Sequence, residues 1–525
     1  MHTEFTITDM ALQNLPIGIQ NFEKIRKDGY LYVDKTALVY QLATTGSYYF
    51  LSRPRRFGKS LLLSTLQAYF EGKKELFEGL AIFTLEKKWD KHPVLHLDLN
   101  TQKYESTEAL EELLNNALSQ WEELYGTRNT ERSLSLRFQG IIERAYAKTG
   151  QRVVILVDEY DKPMLQAIGN PELQEAYRNT LKAFYGALKS CDQYIRFAML
   201  TGVTKFGKIS VFSDLNNLND ISMDWQYCPI CGITDNELDT KLAEYIEQLA
   251  ERNQMTVKST REKLRKFYDG YHFTENSEGI YNPFSLLNTF SKIRFGSYWF
   301  ETGTPTYLVQ MLKIHNYNLE RMTSECTTED VLNCVDAAST NPIPVIYQSG
   351  YLTIKEYDSE FRTYRLGFPN AEVEDGFFRF LLPYYASVDR VEAPFHIQQF
   401  VQDVRAGKTD EFMNRLKSFF ADTPYELVKE RENHYQNVLF IICKLIGVYV
   451  RAEYHTSQGS IDMVIQTAGY TYVMEFKLDG TAEQALKQIS EKAYTLPFET
   501  GETKVIRIGI NFSTKTRNID KWVIE

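Results

Sequence analysis

The stretch that decides the fold of the N-terminal half is YYFLSRPRRFGKSLLLSTL, residues 48–66. It opens with apolar and aromatic residues that are typical of a buried strand, and it ends in a pattern typical of a helix. Between the two, Gly58, Lys59 and Ser60 supply what a phosphate needs at a helix N-terminus: free amides, an ammonium for the β- and γ-phosphates, and a hydroxyl for Mg²⁺. The usual motif has a glycine where this chain has Arg53. On this stretch alone, a chance Gly-Lys-Ser in a loop remains an alternative.

A second strand end supports the phosphate site. VVILVDEY, residues 153–160, is a continuous apolar run that ends in Asp158 and Glu159 before a tyrosine. An acidic pair at such a position can hold Mg²⁺ through the first carboxylate and orient an attacking water through the second. The alternative is an aspartate that caps a helix, beside a solvated glutamate. Two signals in this order, each at a strand end, favour a nucleotide site over chance.

Three further residues are candidates for contact with the nucleotide. Thr201 ends the run IRFAMLT and is a candidate sensor of the γ-phosphate, although a plain strand-end threonine fits the pattern equally well. Arg55 and Arg56 are candidates for phosphate contact, with a solvated basic loop as the alternative. Glu159 is the predicted catalytic residue, and Ser60 and Asp158 are the predicted metal ligands. The predicted nucleotide-binding set is Arg53, Arg55, Arg56, Gly58, Lys59, Ser60, Asp158 and Thr201.

Working outward, short apolar runs alternate with helical stretches through the first 200 residues. The runs are residues 48–52, 94–99, 153–158 and 195–201. Because they are continuous rather than alternating, they indicate strands that are buried on both faces. The pattern predicts an α/β domain whose parallel sheet carries helices on both faces.

The rest of the chain divides into a middle region and a second α/β unit. Residues 234–312 are mostly helical in pattern, and residues 351–368 read as a hairpin, so the middle region is predicted to be helical and winged-helix-like. The C-terminal elements are a helical stretch from 389 to 447, strands at 461–465 and 471–478, a helix at 482–494 and a strand at 504–512. The predicted domains are 1–232, 233–388 and 389–525.

The composition is that of an ordinary folded chain. Its 525 residues suffice for several buried cores, and 43% hydrophobic with 24% charged residues argues against disorder. The net charge of −10 argues against coating nucleic acid through bulk charge, but it leaves room for a local basic groove. Residues 1–10 do not resemble a signal peptide and no apolar run is long enough to span a membrane, which predicts a soluble cytoplasmic chain without a membrane partner. Six cysteines, with Cys228 and Cys231 as the one close pair, fit a reducing compartment and leave zinc as a minor alternative.

The C-terminal part carries a second candidate site. The stretches GSIDMVI and YVMEFK, within residues 459–477, flank a turn at 468–469. In a hairpin centred on this turn, Asp462 lies opposite Glu475, and Lys477 projects from the same face as Glu475. Opposed carboxylates repel unless a cation lies between them, so the pattern predicts a divalent metal that serves phosphodiester cleavage, with the lysine activating or orienting water. The alternative is a hairpin whose polar residues line a solvated face.

Two helices add candidates to this site. In ERENHYQNVLFIICKLIG, Glu432 shares a helix face with Tyr435, Leu439 and Ile442, which directs a carboxylate inward. In AEQALKQISEKAY, Gln488 flanks the apolar stripe and is placed to contact a phosphate or water beside the strand. A plain surface glutamine is the alternative for Gln488.

Two resemblances follow from these motifs. The stretches LPIGIQNFEKI, YLYVDKT, LSRPRRFGKSLLLSTL, ILVDEYDKP, LTGVTKFGKISVFSDLNNL, YDGYHF and YNPFSLLN resemble the AAA-ATPase-like family of bacterial proteins across residues 13–310. In that family the loop without its first glycine is the usual form, and the resemblance implies a P-loop NTPase that binds ATP with Mg²⁺.

Residues 425–525 resemble the PD-(D/E)XK nuclease superfamily, in particular the nuclease-like domain found behind AAA-ATPase-like domains, with a restriction-endonuclease-like α/β fold. The resemblance implies Mg²⁺, or alternatively Mn²⁺, held by Glu432, Asp462 and Glu475, with Lys477 assisting the nucleophile and Gln488 stabilising the site. This region holds 12 basic and 13 acidic residues, so it lacks the strong positive field of most DNA binders.

The leading hypothesis is an ATPase joined to a metal-dependent nuclease, in which nucleotide state controls access of DNA, rather than RNA, to the cleavage site. The first alternative is an ATP-dependent signalling switch whose nuclease-like domain binds nucleic acid or partners without cleaving. The second is an interaction protein that has lost both chemistries, which the intact Lys59, Asp158, Glu159, Glu475 and Lys477 argue against. Assembly into oligomers is left open by the sequence.

Overall fold

The computed structural model describes the chain with several gaps. Outside the description lie residues 1–11, 206–210, 213–216, 301–307, 310, 313–316, 324, 334–340, 387, 390, 422–430, 448–450, 455–462, 500 and 502, and the side chains of 323, 421, 431–434 and 451–454. The chain forms two compact units, the first comprising Met1–Trp299 and Cys326–Asn370, the second Phe300–Glu325 and Ala371–Glu525. The three domain boundaries set from sequence remain a prediction.

The first unit is built on a five-stranded sheet. Its strands are β1 (Tyr48–Ser52), β2 (Val94–Asp98), β3 (Val153–Asp158), β4 (Ile195–Gly202) and β5 (Asn219–Asp220). They lie in the order β2-β3-β4-β1-β5, and every neighbouring pair is parallel. All residues of β1 and β3 are buried, which requires cover on both faces and confirms the four strands predicted from their continuous apolar runs.

Because the strands are parallel, the carboxyl ends of β1, β3 and β4 meet at one edge of the sheet. This edge carries the loop after Ser52, the acids at the end of β3 and Thr201 near the end of β4. The helices around this sheet are Phe22–Lys27, Thr36–Thr45, Lys59–Phe70, Ala81–Leu85, Thr107–Tyr125, Leu134–Thr149, Lys162–Gln166 and Pro171–Ser190.

The predicted helical region and hairpin follow the sheet. The helices here are Asp235–Lys241, Ala243–Arg252, Val257–Tyr268, Pro283–Lys292, Glu329–Asn333 and Ile343–Gln348. Strands β6 (Cys326–Thr328), β7 (Thr353–Asp358) and β8 (Thr363–Gly367) form a small antiparallel sheet in the order β6-β8-β7. The β7–β8 hairpin and its polar turn agree with the sequence pattern, because the Asp358 carboxylate accepts the amides of Glu360 and Phe361.

The second unit contains a mixed five-stranded sheet. Its strands are β9 (Arg451–Tyr454), β10 (Met463–Gln466), β11 (Tyr470–Leu478), β12 (Lys504–Ser513) and β13 (Asn518–Ile524). The order is β13-β12-β11-β10-β9, with β11 and β12 parallel and the other pairs antiparallel. Strands β9 and β13 were not predicted from sequence. The helices are Ala371–Tyr385, Ala393–Arg405, Thr409–Ala421, Arg431–Gly447 and Ala482–Glu491.

The segment 317–319 is tied into this second unit by one buried amide. Asn437, 2% exposed, donates to the carbonyl of Tyr317 at 2.9 Å and accepts the amide of Leu319 at 2.8 Å. A buried side-chain amide is stable only when its donors and acceptors are satisfied, so these bonds fix the short segment to the helix Arg431–Gly447. Among the described residues, no helix has both the length and the apolar character needed to cross a bilayer.

Gly509 allows the helix Ala482–Glu491 to lie directly on β12. A Cβ at this position would lie 2.1 Å from the carbonyl oxygen of Ala482 and 2.5 Å from the amide nitrogen of Leu486. Because both atoms belong to the backbone, neither can move aside cheaply, and we expect Gly509→Ala to lower the free energy of unfolding by about 3 kcal/mol. Urea titration followed by circular dichroism measures this loss. Gly469→Ala is the matched control, since a Cβ added there would meet no atom within 4 Å, and an equal loss in both variants would contradict the packing argument.

Candidate functional site

The loop after β1 ends in an open helix N-terminus. Gly58 caps the helix Lys59–Phe70 with φ of 99°, a left-handed conformation that side chains disfavour. No capping side chain among the described residues bonds this end, and the first turn carries no acidic residue. The first amides of the helix therefore have the partial positive charge and the free donors that suit a phosphate.

Lys59 lies folded over this loop. Its side chain is 4% exposed, and Nζ donates to the carbonyl oxygens of Arg53 at 3.0 Å and Pro54 at 3.3 Å. The Glu159 carboxylate lies 3.5 Å from the same ammonium. Ser60 follows in the helix and is half-buried. The ammonium is thus held by loop carbonyls and one acid, which are partners that a phosphate oxygen can replace.

The acid pair and Thr201 meet at the sheet edge. Asp158 is 5% exposed, and its Oδ1 accepts the Thr201 hydroxyl at 2.7 Å and the Glu159 amide at 3.1 Å. Glu159 takes a left-handed φ of 54°, which turns its carboxylate towards Lys59. Asp158, Glu159 and Thr201 therefore come together with the loop lysine at this edge, and their roles in nucleotide binding stay predictions.

The three loop arginines differ in their surroundings. Arg53 is 1% exposed, and its guanidinium donates to the carbonyls of Ser222 and Tyr227, which lie 169 and 174 residues away in sequence. Arg55 is half-buried, whereas Arg56 is exposed and lies 5.0 Å from the ring of Phe284. Local pattern could not reveal the distant partners of Arg53. Phosphate contact by Arg55 and Arg56, and the membership of Arg53 in the nucleotide-binding set, stay predictions.

Asp161, in the same DEYD run, is a site residue that sequence reasoning did not single out. It is fully buried, and its carboxylate accepts the amides of Val203 and Thr204 and the Thr204 hydroxyl at 2.6–3.2 Å. Burial, with the charge of nearby Glu159, raises the pKa of Asp161 to about 6. Asp161 therefore links the acid-bearing turn after β3 to the residues that follow Thr201. The signal available in the sequence was a third acid next to the acidic pair.

An apolar cavity opens beside Gly58. Its apolar lining suits a flat apolar group such as a nucleobase. Lys35, at its edge, lies 2.6 Å from the Glu237 carboxylate, which joins the N-terminal segment to the helix Asp235–Lys241. The lining residues include Leu31, Tyr32, Val33, Leu61, Cys231, Ile233, Pro283 and Leu287. Sequence reasoning did not identify this cavity, because its walls come from five separate stretches of chain.

In the second unit, three of the predicted site residues lie together. Glu475 on β11 is 2% exposed, and its Oε1 accepts the Lys477 ammonium at 3.2 Å. The same ammonium donates to Gln488 Oε1 at 2.6 Å. Gln488 is presented by the helix Ala482–Glu491, whose N-terminus is closed by a capping box of Thr481 and Gln484. The helix places the glutamine against the lysine, a contact that was not predicted, whereas contact of Gln488 with a phosphate or water stays a prediction.

The Glu475 carboxylate is only partly satisfied. Burial raises its pKa, and the Lys477 ammonium and, to a smaller extent, nearby Gln488 offset part of this effect. Its Oε2 is buried and has no hydrogen-bond partner among the described residues. A buried, unbonded carboxylate oxygen is costly, and a divalent cation is a natural partner for it.

The other predicted members of this site are Asp462 and Glu432. The β10–β11 register pairs Met463 with Met474 and Gln466 with Thr471, which agrees with the predicted hairpin centre. Asp462 itself lies outside the described residues. Glu432 belongs to the helix Arg431–Gly447, but its side chain lies outside the description. Among the described residues, no cluster of three or more metal-ligating side chains occurs, so this ligand set stays a prediction.

Comparisons with known proteins agree with this division. Residues 16–212 match the family described as "Predicted AAA-ATPase", and residues 430–522 match the PD-(D/E)XK nuclease superfamily. A protein of Azotobacter chroococcum mcd 1, described as an uncharacterized protein in the vnfD 5′ region, is 37% identical across 98% of this chain and 99% of its own length.

Two solved structures share a weak overall likeness. The ORC2 protein of Aeropyrum pernix, in complexes with ADPNP and ADP, has a TM-score of 0.25 at 10% identity over 64% of this chain and 88% of its own. The ORC1 protein of the same organism, in complex with DNA, has a TM-score of 0.25 at 11% identity over 67% and 95%. Likeness at this level supports no argument about this chain. The two family matches and the full-length relative confirm both resemblances: the chain belongs to the AAA-ATPase-like family and carries a C-terminal PD-(D/E)XK nuclease superfamily domain.

Proposed function

We propose that the first unit binds and hydrolyses ATP and that the second cleaves the phosphodiester backbone of DNA with the help of Mg²⁺. Nucleotide state then controls access of DNA to the cleavage site. The family membership supports an ATPase joined to a nuclease-like domain. The observation that carries the nuclease part is the buried Glu475 carboxylate, which has one oxygen on Lys477 and the other without a partner among the described residues.

At the nucleotide site, each residue has a distinct task. The amides after Gly58 and the Lys59 ammonium hold the β- and γ-phosphates, because both are donors at an open helix N-terminus. Ser60 and Asp158 would hold Mg²⁺, which neutralises charge on the phosphates. Glu159 orients the attacking water, and Thr201, bonded to Asp158, senses the γ-phosphate.

At the nuclease site, Glu432, Asp462 and Glu475 would hold the metal, which polarises the scissile phosphate when bound. Two hydrogen bonds, one to Glu475 and one to Gln488, hold the Lys477 ammonium beside the proposed metal ligand Glu475. The ammonium can therefore orient a water and offset the charge that develops on the phosphate. Together with Glu475, Gln488 restrains the lysine, whose side chain is 32% exposed.

We place this activity in a reducing compartment, the cytoplasm. Within the described part of the chain no disulfide forms, and four of the five cysteines there are buried: Cys191, Cys228, Cys231 and Cys443, with Cys326 exposed. Buried cysteines that are not in disulfides are typical of proteins that fold under reducing conditions.

The test is a cleavage assay on the purified chain with Mg²⁺ or Mn²⁺, with and without ATP, on single- and double-stranded DNA and on RNA. We expect metal-dependent cleavage of DNA whose rate changes with nucleotide. The near-balanced charge of 12 basic and 13 acidic residues in 425–525 gives this region no strong positive field for DNA, which weighs against cleavage. The competing function is therefore an ATP-dependent switch whose nuclease-like domain binds nucleic acid or partners without cleaving. Metal-independent DNA binding without any cleavage product would support that switch and refute the nuclease.

A further inference from the structure

The side chain of Arg53 is hydrogen-bonded at the start of the phosphate loop, residues 53–58. Its Nη1 donates to the carbonyls of Ser52 at 2.9 Å and Ser222 at 2.7 Å, and its Nη2 donates to the Tyr227 carbonyl at 3.3 Å. The guanidinium carbon lies 3.9 Å from the ring centroid of Phe273, so the planar group is stacked on an aromatic face. The side chain thus joins the start of the loop to two segments that follow the sheet.

This arrangement is an expensive one for a cation. Arg53 is 1% exposed, and burial lowers the pKa of its guanidinium. Within the described part of the chain, no carboxylate forms an ion pair with it, and its Nε is buried without a hydrogen-bond partner. Carbonyl dipoles and one aromatic ring therefore offset a desolvation cost that an apolar side chain would not incur. Because burying the Arg53 guanidinium carries this desolvation cost, its presence supports a role for the side chain beyond packing.

The backbone of Arg53 contacts a residue of the proposed nucleotide site. The Arg53 carbonyl accepts the Lys59 ammonium at 3.0 Å, so the backbone that the guanidinium restrains also positions the lysine. Two more bonds restrain the loop from outside: the Trp299 indole donates to the carbonyl of Arg55, and the amide of Gly232 donates to the carbonyl of Phe57, both at 3.1 Å. The loop is therefore held at both ends and in the middle.

A glycine is not needed at position 53 for its backbone. The left-handed conformations of the loop occur at Arg56, with φ of 67°, and Gly58, with φ of 99°, whereas Arg53 is not among the residues with positive φ. Glycine there would add conformational freedom and remove the anchor, without relieving any strain.

We propose that Arg53 is a positioning residue for nucleotide binding. Its guanidinium fixes the loop backbone so that Lys59 and the first helix amides face the β-phosphate, and in this chain it replaces the first glycine of the usual motif. This inference rests on the proposed nucleotide site. Arg53→Gly creates the standard G-x-x-x-x-G-K-S pattern, so the motif alone predicts that this variant binds nucleotide well. The positioning role predicts that it binds nucleotide more weakly than the wild type.

The experiment measures ADP affinity by isothermal titration calorimetry. We expect Arg53→Gly to weaken ADP binding by at least about tenfold, because binding must then order the loop. Arg53→Lys, which keeps the charge but not the planar fork, should lie between this variant and the wild type. Arg144→Met is the control: Arg144 is a half-buried arginine, its side chain 12% exposed and bonded to Glu131, but it is remote from the loop in sequence and we expect its substitution to leave ADP affinity unchanged.

Circular dichroism establishes that each variant is folded at the titration temperature, so a general loss of stability cannot mimic the effect. If Arg53→Gly does not fold, Phe273→Leu removes the ring beneath the guanidinium and should weaken ADP binding several-fold. Variants of Arg53 or Phe273 that fold and bind ADP as tightly as the wild type would overturn the positioning role alone. A wild-type chain that binds no nucleotide would overturn the proposed function and this inference with it.

Discussion

Lys477→Met is expected to reduce metal-dependent DNA cleavage by about 10²–10³-fold or more, while leaving the second unit folded. The methionine keeps most of the apolar stem but removes the ammonium that bonds Glu475 at 3.2 Å and Gln488 at 2.6 Å. Without that charge, nothing at this position orients the water or offsets charge on the phosphate. The rate of cleavage of a labelled DNA with Mn²⁺ measures the effect, with circular dichroism to establish the fold.

The chain offers a close control for this substitution. Lys487 lies on the helix that carries Gln488, is 73% exposed and pairs only with Glu491 among the described residues, so Lys487→Met removes one positive charge nearby without touching the site. We expect it to retain cleavage. Asp462→Ala should abolish cleavage as well, because Asp462 is a predicted metal ligand. Cutting that survives both Lys477→Met and Asp462→Ala would indicate a contaminating nuclease or another site.

Lys59→Ala is expected to weaken ATP binding by about a hundredfold or more. The ammonium is buried at the loop and held by the carbonyls of Arg53 and Pro54 and by Glu159. A phosphate brings a stronger, fully charged acceptor to the same donor, and charge-assisted bonds of this kind contribute about 1.5–3 kcal/mol each. Titration with a non-hydrolysable ATP analogue measures the loss.

Two companion variants separate binding from turnover. Glu159→Gln keeps the size of the side chain but removes the charge next to Lys59, so ATP should still bind while its hydrolysis slows. Lys73→Ala removes a lysine that pairs with Glu23 and Glu71 on the surface of the same unit and should change neither quantity. If Lys59→Ala and Glu159→Gln both leave nucleotide affinity and hydrolysis unaltered, the nucleotide-switch hypothesis is wrong.

The local parts of both sites could be predicted from sequence because their residues lie on regular elements with known periods. Glu475 and Lys477 share a face since strands alternate every two residues, and Gln488 could be placed from the apolar stripe of its helix. The edge formed by Asp158 and Thr201 followed from the parallel arrangement that continuous apolar runs indicate.

The parts that depend on distant contacts could not be predicted. Two of the three acceptors of Arg53 lie more than 160 residues away, and nothing near it in sequence marks Ser222 or Tyr227 as partners. Asp161 accepts three hydrogen bonds from Val203 and Thr204, and these bonds depend on how the chain turns at the end of β4. Strand β13 has the sequence NIDKWVI, which lacks the regular alternation of a strand. Its pairing with β12 depends on tertiary contacts that the local sequence does not indicate.

The route of the chain through its two units limits how the molecule can be dissected. Phe300–Glu325 belongs with Ala371–Glu525, although Cys326–Asn370 returns to the first unit between them. A fragment that starts at residue 371 or 389 would carry the nuclease fold but would leave the Asn437 amide without Tyr317 and Leu319. An inactive or insoluble truncation would therefore say little about the native protein, and point substitutions in the intact polypeptide are the better test of the activity proposed for each unit.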